Sequence, residues 1–139
     1  MPIFLQDHAG NSVKLSDYQG QQVVVNFWMF GCPACYDEFP TYQRLYDRID
    51  SEKIEDIKLI KVYVGQPGSA PDIDDMRQML DDNGYSFTTY WDTGEVAIDY
   101  GIFYIPHTFV IDEDGIITAS AVGPVSYDAL TELLDLEDH

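Results

Sequence analysis

The sequence predicts an α/β fold: a mixed central sheet in a three-layer sandwich, with helices on both faces. Three observations carry this. The runs Val23-Val24-Val25-Asn26-Phe27-Trp28, Ile57-Lys58-Leu59-Ile60-Lys61-Val62-Tyr63-Val64 and Thr108-Phe109-Val110-Ile111 are rich in β-branched and aromatic residues, and read as strands. The first alternates too weakly to have a wet face, as in a central strand covered on both sides. Between the strands, apolar residues recur at steps of three and four, the helical period. The resulting order, β-α-β-α-β-α-β-β-α, layers helices over a sheet.

Each element follows from local chemistry. Residues 1–17 form a hairpin-like lead-in, with the turn Asp7-His8-Ala9-Gly10-Asn11 between Ile3-Phe4-Leu5 and Val13-Lys14-Leu15. Ser16-Asp17-Tyr18-Gln19-Gly20 is a second turn or short helical turn. After the first buried strand, Phe39, Tyr42, Leu45, Tyr46 and Ile49 form the apolar stripe of a long helix. Pro33 suits its first turn, where a missing N–H costs nothing, and Pro40 should kink it. The strand over 57–64 and a loop over 66–71 come next. Ile73, Met76, Met79 and Leu80 mark a second helix stopped by Asn83-Gly84. A short strand over 86–91 and a short helix over 95–100 precede a hairpin, whose turn is Asp112-Glu113-Asp114-Gly115 and whose second strand covers 116–122. A last helix begins at Ser126 as N-cap and presents Tyr127, Leu130, Leu133 and Leu134 to the core. No repeat, linker or low-complexity tract interrupts the 139 residues, so one domain over residues 1–139 is expected.

Charge narrows the function. Asp and Glu number 25 against 7 Lys and Arg, a formal net charge of −18. That balance argues against nucleic acid, whose binding depends on cations displacing counterions, and against an anionic membrane surface. A solvated acidic surface accounts for it, and steering toward a basic partner is the sharper alternative. The longest apolar stretch, residues 23–31, contains Asn26 and is too short to span a bilayer. Met1-Pro2-Ile3-Phe4 lacks the positive and apolar regions of a secretory leader, so no signal peptide is expected there.

The two cysteines form one motif, Cys32-Pro33-Ala34-Cys35, at a strand-to-helix junction. A disulfide closing so small a ring contributes only about 2 kcal/mol in the loop-entropy model, so a structural staple explains the pair poorly. Free N–H groups and the positive end of a helix favour thiolate over thiol at Cys32. A second sulfur within the first helical turn can reach a mixed disulfide formed there. Cys32 is therefore the expected nucleophile and Cys35 the resolving thiol. Zinc wants four ligands, and His8, His107 and His139 have no ligand spacing, so no metal and no cofactor is expected. Ile105-Pro106, just before the strand over 108–111, is the second constellation. A cis Pro106 beside the cysteines would offer the backbone of Ile105 as an edge for an extended substrate. Read from the residues alone, an ordinary trans proline at a strand start fits equally.

These two segments resemble the thioredoxin superfamily. Val25-Asn26-Phe27-Trp28-x-x-Gly31-Cys32-Pro33-Ala34-Cys35 looks like its active-site strand and helix start, and Ile105-Pro106-x-Thr108-Phe109-Val110-Ile111-Asp112-x-x-Gly115 like its cis-proline segment. Cys35 and Pro106 stand 71 positions apart (106 − 35). That exceeds the classical thioredoxin spacing by about a helix and a strand, residues 71–83 and 86–91. The insertion and the N-terminal lead-in are similar to the TlpA/ResA-like group, which is bacterial, extracytoplasmic and often membrane-tethered. The resemblance implies a cis Pro106, a nucleophilic Cys32 and a Trp28 packed near the site, compatible with Trp28 also closing the core. It implies reduction of protein disulfides, in cytochrome c maturation or extracytoplasmic repair, by a monomer recharged by an unidentified dithiol donor. The location implied is periplasmic or membrane-tethered through a leader outside this chain, with the cytoplasm as the alternative.

The chain departs from the thioredoxin pattern in proton management. Asn26 occupies the place of a buried Asp and cannot titrate. Val64-Gly65-Gln66 carries an amide where the TlpA/ResA-like group can carry a carboxylate. Glu38 is the nearest carboxylate in sequence: a candidate proton acceptor, or a solvated first-turn acid favoured by the helix dipole. His107 follows Pro106. Aimed at Cys32, its positive form would lower the thiol pKa and make the disulfide more oxidising; aimed outward, it is a polar strand residue. Asp37, Glu38 and the overall acidity disfavour a thiolate, so a potential toward the reducing end is expected. Three other functions compete. A peroxiredoxin-like peroxidase would want Thr where Met29 stands and an Arg nearer than Arg44. A copper carrier would use His107 as third ligand. A redox-inactive interaction domain would not need both cysteines.

Overall fold

The computed structural model describes residues 4–7, 12–29, 32–64, 73–87, 89–92 and 104–136. Along the chain come β1 (Phe4–Asp7), β2 (Ser12–Lys14), a 3-10 turn (Leu15–Tyr18), β3 (Gln22–Trp28), α1 (Pro33–Ser51), β4 (Ile57–Val64), α2 (Ile73–Asp82), β5 (Thr89–Asp92), β6 (His107–Ile111), β7 (Ile117–Val122) and α3 (Tyr127–Leu133). The strands form one mixed sheet in the order β2-β1-β5-β4-β3-β6-β7. β3, β4 and β5 run parallel, while β6 joins β3 antiparallel and continues into β7. β5 seats between β4 and β1 and ties the N-terminal hairpin to the parallel strands.

Side-chain alternation splits the core into two clusters. On one face, Val24, Trp28, Leu59, Tyr63 and Val110 meet Phe39, Tyr42 and Leu45 of α1, Leu80 of α2 and Leu130 of α3. On the other, Val23, Val25, Phe27, Ile60, Val62, Tyr90, Phe109 and Ile111 pack together with Tyr18 of the 3-10 turn. Residues 23–28 are buried throughout, which explains why that run shows no polar alternation. The expected turn over 8–11, loop over 66–71 and short helix over 95–100 fall outside the described residues.

Two local expectations are corrected. The strand predicted over 86–91 starts at Thr89, because Gln43 Oε1 of α1 accepts the backbone N–H groups of Ser86 (2.7 Å) and Phe87 (3.2 Å). α1 continues through Pro40, which sits on its exposed side, and runs to Ser51. Leu133 is 37 % exposed: Leu130 and Leu134, one turn apart, take the core side of α3 and leave Leu133 on the rim. Ser126 caps α3 as expected, accepting from the Ala129 N–H at 3.1 Å. α3 is held on α1 by the Arg44 guanidinium 3.8 Å above the Tyr127 ring and by Arg48 donating to the Tyr127 hydroxyl. That docking presents the N–H of Val125, just before α3, to the site.

Candidate active site

β3 ends at Trp28 and α1 begins at Pro33, so the motif lies where a buried strand hands over to a helix. Cys32 is the N-cap of α1, in extended conformation, with Pro33 in the first turn. Its sulfur accepts the Cys35 N–H at 3.2 Å, an amide of the first helical turn that also reaches the Cys32 carbonyl at 3.1 Å. Cys32 and Cys35 form a disulfide with Cα atoms 5.3 Å apart. The sulfurs differ in access: Cys32 is half-buried, whereas Cys35 is fully buried against the α1 face of the sheet.

Beneath the pair lies a closed polar network. Asn26, fully buried at the centre of β3, donates one N–H to Glu38 Oε1 and the other to Thr108 Oγ1, each at 2.9 Å. Its Oδ1 accepts from Lys61 Nζ of β4. The second Glu38 oxygen accepts the Val125 N–H at 2.9 Å. Thr108 shares a 2.7 Å hydrogen bond with the Tyr42 hydroxyl. Glu38 is 2 % exposed, which rules out the solvated-acid reading. Burial raises its pKa, partly offset by the Val125 N–H, the Lys61 charge and the Asn26 amide. Lys61 is 0 % exposed, and burial pushes it down to about 7 against the opposing pull of Glu38. Burial, then Glu38, raises Tyr42, which stays a neutral hydroxyl.

The other expected residues divide. Trp28 is fully buried, edge-on to Phe39 and Tyr63 with centroids 5.0 and 5.1 Å away, and its Nε1 donates to Thr89 Oγ1. Pro33 is exposed and Ala34 half-buried, so both form the surface around Cys32. The Ile105–Pro106 bond is cis. One step beyond the last β3–β6 rung, Phe27–His107, the two chains carry Trp28 and Pro106, which brings that segment to the end of β3 that leads into Cys32. Cys32 and Ile105 pack on the same cluster. His107 goes elsewhere. It shares the parity of Phe109, on the face opposite α1, and stacks on that ring at 4.4 Å. Burial lowers its pKa and so favours the neutral form, and Nδ1 is buried without a hydrogen-bond partner among the described residues.

Sequence reading missed Lys61, Thr108 and Tyr42 as members of the site. A signal for Lys61 was present. In β4 it shares a face with Leu59 and Tyr63, so a strand covered on that side had to bury it.

A half-open sulfur on a helix start, a buried partner sulfur and a buried carboxylate can pass electron pairs between sulfurs while a proton is held inside. Comparison with known proteins agrees. A model of the AhpC/TSA family matches residues 2–120. The chain belongs to that family. Within the AhpC/TSA family it is similar to thiol-disulfide oxidoreductase ResA of Halalkalibacterium halodurans, 31% identical over 95% of this chain and 71% of the relative. ResA of Bacillus subtilis is 27% identical over 95% of this chain and 70% of its own. The crystal structure of StoA from Bacillus subtilis superposes with a TM-score of 0.79 at 25% identity, covering 96% of each chain. The fold is thioredoxin-like, and the protein is an oxidoreductase of thiol–disulfide exchange.

Proposed function

We propose that the protein reduces protein disulfides, with Cys32 attacking, Cys35 resolving and Glu38 accepting the Cys35 proton. The observation that carries this is the unequal access of the two sulfurs: a partner disulfide can meet half-buried Cys32 but not fully buried Cys35. In the reduced protein, the Cys32 thiolate attacks one sulfur of the substrate disulfide. A Cys32–substrate disulfide forms and one substrate thiolate leaves. Cys35 then loses its proton to Glu38, three residues along the same helix face. Its thiolate attacks Cys32 Sγ, the second substrate thiolate leaves, and the Cys32–Cys35 disulfide described above remains. Two electrons pass to the substrate, and the two leaving thiolates take up protons from Glu38 and water.

Pro33, Ala34 and Ile105, which precedes buried Pro106, would form the surface an extended substrate meets, while Trp28 supports it from below. The resemblance supports an extracytoplasmic monomer, recharged by a dithiol donor and serving cytochrome c maturation or protein repair. Among the described residues, no helix is long and apolar enough to cross a membrane. The test is reduction of insulin by the dithiol form together with equilibration against dithiothreitol or glutathione. Turnover lost in Cys32→Ser, with a potential toward the thioredoxin end of the range, supports the assignment; a potential above about −150 mV contradicts it.

A further inference from the structure

Lys61 is the part of the site that the mechanism above leaves unused. Its ammonium sits in a cage built for a cation. Nζ donates to Asn26 Oδ1 and lies 4.2 Å from the Tyr42 ring centroid, 4.6 Å from that of Phe39 and 5.4 Å from that of Phe87. Aromatic faces attract a cation rather than a neutral amine. The Asn26 amide is saturated: its oxygen takes Lys61, and its two N–H groups go to Glu38 and Thr108. Turned over, it would set its N–H donors against the Lys61 donors and its oxygen against the Glu38 carboxylate. We propose that Lys61 is a positioning residue for the proton acceptor, locking the Asn26 amide toward Glu38 and supplying the positive charge that keeps Glu38 a carboxylate.

This rests on the reading of Glu38 as the acceptor. The titratable groups facing Lys61 are few. α1 contributes Glu38 and the Tyr42 hydroxyl, and β4 itself contributes Tyr63 two residues on. β3 and β6 turn only uncharged Asn26 and Thr108 into the network, and the segment before α3 contributes the Val125 N–H on Glu38. Glu38 is thus the only carboxylate that the described contacts set against Lys61, and the route between them is a single amide. Burial opposes the Lys61 charge and Glu38 favours it, so the cation depends on the groups set around it.

The experiment is Lys61→Met, which is unbranched, one atom shorter and suits an aromatic pocket, assayed by the pH dependence of mixed-disulfide resolution and by 13C NMR titration of the Glu38 carboxyl. Without the cation, the acid limb of resolution and the Glu38 titration should both move up by about one pH unit. Lys61→Met added to Glu38→Gln should change the limb no further than Glu38→Gln alone. A folded Lys61→Met protein whose limb and Glu38 titration stay in place overturns the proposal. If that variant does not fold, the unsubstituted protein decides: the Lys61 13Cε resonance should shift as Glu38 titrates, and independent titrations overturn the proposal. Should Glu38→Gln itself leave the limb unmoved, the acceptor reading fails; should it move the limb while Lys61→Met does not, only the role of Lys61 fails.

Discussion

Replacing Glu38 by Gln separates the chemical role of the carboxylate from its structural one. The side chains are nearly isosteric, but Glu38 receives two donors, the Asn26 amide on Oε1 and the Val125 N–H on Oε2, each at 2.9 Å. Glutamine offers one oxygen, so one donor faces an NH2 group, at a cost of about 1–3 kcal/mol. The desolvation of the carboxylate disappears with its charge, which holds the net loss to about 1–2 kcal/mol. The effect on chemistry should be larger. Cys35 must lose a proton in a buried site, and removing a positioned base lowers such a step by roughly 10²-fold near pH 7. The assay is stopped-flow resolution of a Cys32 mixed disulfide, run beside alkylation of Cys32 in the reduced protein. Resolution should slow roughly a hundredfold while alkylation stays nearly unchanged. An unchanged resolution rate would refute the reasoning, as would an equal loss in both steps.

Two further outcomes follow from the same network. Thr108→Val removes the hydroxyl that joins Asn26 to Tyr42, leaving a buried tyrosine O–H and one amide N–H without partners; urea denaturation should show a loss of roughly 2–4 kcal/mol, partly restored by adding Tyr42→Phe. Stability should also depend on pH in opposite senses at the two buried ionisable groups. Glu38 is raised in the folded state, so its contribution is present below about pH 4.5 and is lost as pH rises through its folded value. Lys61 is lowered to about 7, so above that pH the unfolded chain binds more protons, and stability rises toward pH 10.5. Denaturation midpoints between pH 7 and 9.5 should therefore rise in the unsubstituted protein and lose that increment in Lys61→Met; equal alkaline profiles would contradict the burial of a titrating lysine.

The legible parts of this protein are those written in short stretches of chain. Cys32-Pro33-Ala34-Cys35 after an apolar run states a strand-to-helix junction in a few letters, and Asp112-Glu113-Asp114-Gly115 supplies the side-chain acceptor and the positive-φ glycine of its turn. What stayed hidden depends on register between distant elements. Glu38 looks like an ordinary acid one turn into a helix until Asn26, Lys61 and Val125, from three other segments, converge on it. The start of β5 depends on a glutamine 43 positions from Ser86. The direction of His107 was nearer to hand: Asn26 pairs with Thr108 across β3 and β6, so once Thr108 faces α1 its neighbour must face away.

The most direct measurement is trapping with Cys35→Ser. Incubated in its reduced form with a disulfide-bonded protein, this variant should accumulate a one-to-one mixed disulfide, and peptide mapping should assign the bond to Cys32. Accumulation of no adduct, or an equal adduct on Cys35 in Cys32→Ser, would show that the half-buried sulfur at the start of α1 is not the one that meets the substrate.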